Sequence, residues 1–191
     1  YFSDGVQRTT LLGTIPFRDL GSESVPWQLA QVGCTVLRRE GGVLSPVSEV
    51  ERIDFLLLAP ISFLRDKTTK SGLKKTLERL EAPLPGVRWI DTSFRPAPTS
   101  EEGRERAADH DSFELDGQQY PRIPNEELFR WLADPDRFRH HGRYWATRMR
   151  DRTERLVQGG LVRRSQPEAG SGRSLTVKDG SLRDEGGTFE R

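Results

Sequence analysis

The sequence predicts an α/β fold in which helices cover a mixed β-sheet, and three observations lead to this class. Strand-like runs occupy most of residues 1–59. Helical spacing follows between residues 64 and 158, broken by one more strand-like run and a polar stretch. A last strand-like run then ends at Asp179. This order of strands, helix, insertion, helices and strand is typical of a mixed sheet flanked by helices.

The strands are predicted from apolar and β-branched runs that lie between Gly, Ser and Pro. The first run, at 1–15, surrounds an Asp-Gly pair, and 27–40 and 43–50 predict a second strand and a short return strand. Residues 54–59 (DFLLLA) are a continuous apolar run of the length of a strand buried on both faces. A fifth strand, RWIDTSF, is predicted at 88–94.

Three helices are predicted from periodic apolar residues. The first carries its leucines between residues 64 and 80 and is interrupted at Ser71-Gly72. The second begins at 124, continues through Trp131 and Leu132 and ends near Asp134-Pro135, and the longest covers about 137–158 and is stopped by Gly159-Gly160. The polar residues 95–117 predict a flexible insertion.

Composition limits the classes of function. The chain has 30 Lys and Arg against 29 Asp and Glu, so its net charge of +1 gives no global field for nucleic acid, and a polyanion site must be a local patch. Cys34 is the only cysteine, which excludes an intrachain disulfide and favours a reducing, cytoplasmic compartment. The most apolar run, 55–64, is too short to span a membrane. The chain starts at Tyr1 and ends in GGTFER, and we expect it to be the front part of a longer protein whose domain is incomplete.

Common catalytic signatures are absent from the sequence. The three histidines form no HExxH pair, and there is no GxxxxGK[ST], no GxGxxG after a strand and no GxSxG. Carboxylates therefore remain as the candidates for chemistry.

Asp4 and Asp179 share one local pattern, in FSDGVQRT and TVKDGSLRD: a strand-like run, an Asp, then a Gly that permits a turn or a close approach. If the two strands are neighbours in a sheet, the carboxylates converge, and their hard oxygen ligands suit Mg²⁺ or Mn²⁺. A metal pair can stabilise both oxygens of a phosphodiester displacement, which is nuclease chemistry. Alternatively, each Asp-Gly pair is a hairpin turn, as predicted for Asp116-Gly117 in its polar surroundings. Arg8 and Arg183, each four residues after an Asp, could hold the scissile phosphate or pair with the carboxylates.

The segments DGVQRT, RMRDRTERLVQ and VKDGSLRD resemble NurA-type nucleases. The resemblance covers the two ends of the chain, not its middle. It implies one RNase H-like domain over residues 1–191 with an insertion at about 82–135, and a homodimer that degrades DNA ends with a hexameric HerA-type ATPase in DNA repair or antiviral defence. It also implies that Asp4, Glu154 and Asp179 are catalytic ligands of Mn²⁺ or Mg²⁺.

Glu154 is the candidate for the helix carboxylate. On a helical wheel Trp145, Met149 and Leu156 share one face, whereas Glu154 lies on the opposite side with Arg150. The alternative to a metal ligand is a solvated Glu154 that pairs with Arg150 one turn earlier.

Two other functions remain open. The chain could be a catalytically silent scaffold of a larger ATPase assembly, or a nucleic-acid-binding subunit that holds phosphates without cleaving them. Four of the five lysines, at 67, 70, 74 and 75, form either a phosphate-binding track, a docking face or the solvated side of a helix. The aromatic residues 131, 138, 144 and 145 either stack on single-stranded bases or pack in the core.

Overall fold

The structure is a computed structural model that describes residues 2–16, 24–67, 69–82, 86–95, 111–165 and 177–178. Within these residues the chain is mixed α/β, as the sequence predicts. The strands are β1 Phe2–Pro16, β2 Ser24–Glu40, β3 Val43–Pro46, β4 Arg52–Ala59, β5 Arg88–Asp91, β6 Ser112–Leu115, β7 Gln118–Pro121 and β8 Val177–Lys178. The helices are α1 Ile61–Lys67, α2 Lys70–Glu81, α3 Asn125–Leu132 and α4 Pro135–Ser165, and a 3-10 helix covers Ser48–Val50.

Six of these strands form one mixed sheet with the order β5-β4-β2-β1-β8, and β3 pairs with the end of β2. The pairs β1–β8 and β4–β5 are parallel, whereas β2–β3 is antiparallel. The return strand predicted at 43–50 is shorter than expected, because the 3-10 helix replaces its second half. None of the helices in the described part of the chain has the length and apolarity needed to cross a membrane.

The chain divides into two compact units. The first comprises Tyr1–Val6, Val32–Ile53 and Met149–Arg191, and the second comprises Gln7–Gln31 and Asp54–Arg148. Each unit has its own apolar cluster. The cluster of the first unit contains Cys34, Val36, Val50, Val157 and Leu161. The cluster of the second unit contains Val25, Phe63, Leu64, Leu73, Ile123 and Leu128.

Glycine positions explain two errors in the predicted helices. The interruption predicted at Ser71-Gly72 occurs earlier, between α1 and α2. Ser71 and Gly72 lie in the first turn of α2, where the Thr69 side chain accepts a hydrogen bond from the Gly72 N–H at 3.1 Å and caps the helix. Helix α4 also continues through Gly159-Gly160 to Ser165. Burial of Leu161 in the apolar cluster of the first unit favours this continuation over the cost of two helical glycines, about 1 kcal/mol each.

The polar stretch between β5 and α3 contains an ordered hairpin, so its flexibility was wrongly predicted for these residues. Strands β6 and β7 are joined by Asp116-Gly117, whose φ angles of 53° and 74° are both positive, as a two-residue I′ turn requires. The hairpin interpretation of this Asp-Gly pair is therefore confirmed.

Candidate functional site

The buried side of α4 winds around the helix. One buried residue occurs at every fourth position, and since four residues exceed one turn, the buried stripe advances by about 40° at each step. The residues of this stripe are Trp145, Met149, Thr153, Val157 and Leu161. A wheel with one fixed inner face therefore misplaces the end of the helix: Leu156 is 46% exposed, whereas Glu154 is only 5% exposed. The alternative of a solvated Glu154 is wrong.

The carboxylate of Glu154 lies against Gly5 of β1, in the first unit. A Cβ atom placed on Gly5 would be 2.6 Å from Cδ and 2.8 Å from Cγ of Glu154, and closer still to Oε1. No side chain fits at residue 5 while Glu154 keeps this position. The glycine of the first Asp-Gly pair thus permits a close approach, which is one of the two roles that the sequence leaves open.

Arg150 is the charged neighbour of Glu154. Its Nε lies 3.4 Å from Oε1 of Glu154, at the i,i+4 spacing, and its Nη2 donates a hydrogen bond to Oδ1 of Asp151 at 2.9 Å. Within the described residues Nε of Arg150 has no hydrogen-bond partner, so its attraction to Glu154 is ionic. The pairing predicted from the spacing is confirmed, in a largely buried setting.

A second contact joins α4 to β1, two residues before Gly5 in the strand. Gln158 donates from Nε2 to Oγ of Ser3 at 3.3 Å, and Ser3 is buried. Four helical residues rise about 6 Å and two strand residues about 6.6 Å, so both contacts fit a helix that lies along the strand. Sequence reasoning missed Ser3 and Gln158; the four-residue spacing from Glu154 to Gln158 is the signal that could have found them.

Asp4 is exposed, between these two contacts. Ser3 and Gly5 face α4, and since side chains alternate along a strand, the carboxylate of Asp4 leaves β1 on the opposite face from Glu154. The carboxylates of Asp4 and Glu154 thus lie on opposite faces of β1, the first open to solvent and the second buried.

Strand β8 pairs with β1 at this same end. The pairing is parallel, with Phe2 opposite Val177 and Ser3 opposite Lys178. The sequence predicts that the strands before the two Asp-Gly pairs are neighbours in the sheet. β1 and β8 do pair, at the two residues that precede each Asp. Asp179 and Arg183 themselves lie outside the described residues. Arg8 is exposed and belongs to the second unit.

The chemistry of the candidate ligands suits a hard divalent cation, because all three are carboxylates. In the described part of the chain no three His, Cys, Asp or Glu side chains are grouped to hold a metal ion. The structure does not bring the Asp4 and Glu154 carboxylates to one cation, because they lie on opposite faces of β1, and the third predicted donor, Asp179, lies outside that part.

The second unit holds a buried polar network around Asp91. Its Oδ2 accepts hydrogen bonds from the N–H and the hydroxyl of Ser62 at 2.9 and 2.6 Å, and its Oδ1 accepts from the N–H of Ser93 at 2.9 Å. The hydroxyl of Ser93 accepts from the N–H of Phe63 at 3.1 Å. These bonds satisfy N–H groups in the first turn of α1, which gives Asp91 a structural role.

His141 and the aromatic residues of α4 also lie inside the second unit. Nε2 of His141 is 2.9 Å from the carbonyl oxygen of Thr92, which can only accept, so Nε2 carries the proton. Burial lowers the pKa of His141, although hydrogen bonds to the carbonyls of Thr92 and Phe94 act in the opposite direction. Trp145 is 1% exposed and packs on Tyr120 with ring centroids 5.1 Å apart. For Trp145 the core interpretation is confirmed over base stacking.

Comparison of the chain with protein-family models, with curated proteins and with solved structures finds no match. The residues of this chain and their geometry therefore carry the functional conclusion.

Proposed function

We propose that the chain is a metal-dependent DNA nuclease of the NurA type, built on an RNase H-like sheet. One observation carries the proposal: β1 and β8 pair in parallel at the residues that precede the two Asp-Gly pairs, with Ser3 opposite Lys178. β1, α4 and β8 are far apart in the sequence. Asp4, Glu154 and Lys178, the residue before Asp179, nevertheless belong to one unit.

The register of β1 and β8 supports convergence of the two Asp-Gly pairs. Ser3 is opposite Lys178, and the next residues in the sequence are Asp4 and Asp179. A parallel ladder that continued by one residue would pair these two aspartates and direct both side chains to the same face. Two adjacent carboxylates repel each other, and a divalent cation is their natural counterion.

In the proposed site Asp4 and Asp179 hold Mn²⁺ or Mg²⁺ on the open face of β1, whereas Glu154, on the opposite face, fixes α4 against the residue after Asp4. When bound, the cation supplies a water of lowered pKa and neutralises charge on the reacting phosphate. The protein provides the fixed parts: Gly5 leaves room for the Glu154 carboxylate, Arg150 offsets its charge, and Gln158 ties α4 to Ser3. Arg8 and Arg183 are proposed to hold the phosphate of the substrate.

We further propose a homodimer that acts on DNA ends with a hexameric HerA-type ATPase, in a cytoplasmic setting of DNA repair or antiviral defence. Its support is the resemblance of the three segments around Asp4, Glu154 and Asp179. Copurification of the chain with such an ATPase, and the mass of the complex, test the partner independently of cleavage.

The experiment is cleavage of an end-labelled linear duplex in Mn²⁺, Mg²⁺ or EDTA. Asp4→Asn and Asp179→Asn are each expected to reduce the rate by at least about 100-fold, because each removes a charged ligand, whereas Glu154→Gln, which acts only through the position of β1, is expected to reduce it by about 10-fold. Asp116→Asn is the matched control, since it changes the Asp-Gly pair that forms a hairpin turn, and it should cleave at the wild-type rate. Cleavage in EDTA, equal rates in all variants, or no cleavage with either metal would contradict the proposal, and the last result would favour the scaffold.

A further inference from the structure

The nuclease site leaves unexplained the only concentration of lysine in the chain. Four of its five lysines lie between residues 67 and 75, and the segment KTTKSGLKKTL contains no acidic residue. The structure places them at the end of α1 and along α2, in the second unit. We call the exposed side chains of Lys67, Lys70, Lys74, Lys75 and Arg79 the lysine face.

The lysine face is nearly free of compensating charge. Lys74 is 3.7 Å from Glu78, and both side chains are more than half exposed, so this pair is weak. For Lys67, Lys70, Lys75 and Arg79 the described residues contain no ion pair. The face therefore presents net positive charge to solvent.

The positive charges of the lysine face lower the stability of α2. Lys70 and Lys74, and likewise Lys75 and Arg79, are like charges at i,i+4 spacing, which repel each other. The first turn of α2 contains Lys70 and no acidic residue, so a cation lies where the helix dipole is positive. A bound polyanion would relieve both effects.

The composition of the face favours nucleic acid over a protein partner. Leu73 and Leu77 are packed in the apolar cluster of the second unit, and the solvent side of α2 presents polar and charged residues. A protein interface needs an apolar centre and is depleted in lysine. Lysine is a mobile point charge that holds phosphate oxygens without a fixed orientation, which suits contacts independent of sequence.

We propose that the lysine face binds the phosphate backbone of duplex DNA. The choice of DNA as the ligand rests on the proposed nuclease function. The positive charge of the lysine face is independent of that function. Lys70 and Lys74 are about 6 Å apart along the helix axis, so neighbouring lysines can contact successive phosphates of one strand. The face contributes affinity for the duplex that does not depend on base sequence.

The test is fluorescence anisotropy of a labelled 30-base-pair duplex, measured in EDTA from 50 to 300 mM salt so that no cleavage occurs. A fourfold variant, Lys67→Gln, Lys70→Gln, Lys74→Gln and Lys75→Gln, is expected to bind on the order of 100-fold more weakly near 100 mM salt. The slope of log K against log salt should become shallower by about 3.6, since each of the four phosphate contacts contributes about 0.9.

The matched control removes four arginines of the same unit, by Arg130→Gln, Arg137→Gln, Arg139→Gln and Arg143→Gln, all exposed on α3 and α4. The control should keep most of the affinity and of the salt slope. Thermal unfolding of the lysine variant should start no lower than in the wild type, because repulsion within α2 is removed.

Equal losses in both fourfold variants would show a nonspecific effect of charge and overturn the proposal. Unchanged affinity and slope in the lysine variant would also overturn it and point to an acidic protein partner. Binding that depends on the lysines in a chain that never cleaves DNA would reject the nuclease and retain the lysine face.

Discussion

The carboxylate of Glu154 occupies the space that any side chain at Gly5 would need. This relationship fixes the helix to the strand at the residue after Asp4, and it predicts a steric coupling. Gly5→Ala should destabilise the protein by about 1–3 kcal/mol, the usual cost of overpacking. Adding Glu154→Ala frees the space, so the double variant should be more stable than the sum of the two single effects by at least about 0.5 kcal/mol. Urea unfolding of the four proteins measures this coupling, and strictly additive effects would mean that the two residues do not meet.

Arg150 should stabilise the fold through its charge. Arg150→Met keeps the apolar stem of the side chain and removes the cation beside the buried Glu154, so we expect a loss of about 1–2 kcal/mol, below the range for a fully buried pair since Arg150 is 31% exposed. Arg143→Met, on an exposed position of the same helix, should change stability by less than about 0.5 kcal/mol. If Arg150→Met and Arg143→Met lost similar amounts of stability, the contact between Arg150 and Glu154 would have no stabilising role.

Gly160 offers a gain in stability. It lies inside α4, and a Cβ atom placed on it would meet nothing within 4 Å. Gly160→Ala should therefore raise the free energy of unfolding by about 0.5–1 kcal/mol, because alanine loses less backbone entropy in a helix. Unfolding in urea checks the value; a loss of stability would show that α4 ends before residue 160.

His141 should make stability depend on pH. The pKa of this imidazole is lowered in the folded protein from its ordinary value of 6.5, mainly by burial. The folded state therefore binds fewer protons than the unfolded state below pH 6.5, so stability is full above that pH and is lost as the pH falls toward the folded pKa.

The measurement for His141 is the thermal midpoint between pH 7.5 and 5. His141→Gln keeps an N–H donor without an imidazole, so its midpoint should fall less over this range than that of the wild type. His140→Gln, at the exposed neighbouring position, should follow the wild-type curve. A steeper fall in His141→Gln would contradict the assigned role of burial.

The sequence predicted the class of the fold because local patterns determine it. The run DFLLLA lies in β4, where its last four residues are buried and Phe55 is exposed, and the predicted second helix agrees with α3 to within one residue at its start and about two at its end. The end of α4 could not be predicted, since Val157 and Leu161 favour helix only when the apolar cluster of the first unit is present.

The sequence identified residues of the candidate site but did not predict the contacts between them. Asp4, Glu154 and Arg150 were identified from motif and spacing, but the burial of Glu154 depends on a stripe that winds around α4. The opposite facing of Asp4 and Glu154 follows from Ser3 and Gly5 turning toward α4, which only the three-dimensional arrangement determines.

The pairing of Phe2 with Val177 has a consequence for synthesis. These residues are 175 positions apart, so a nascent chain on the ribosome cannot close this ladder until nearly all of the described residues have been translated. A product truncated before β8 would therefore lack this ladder and would leave the edge of β1 unpaired at Phe2 and Ser3.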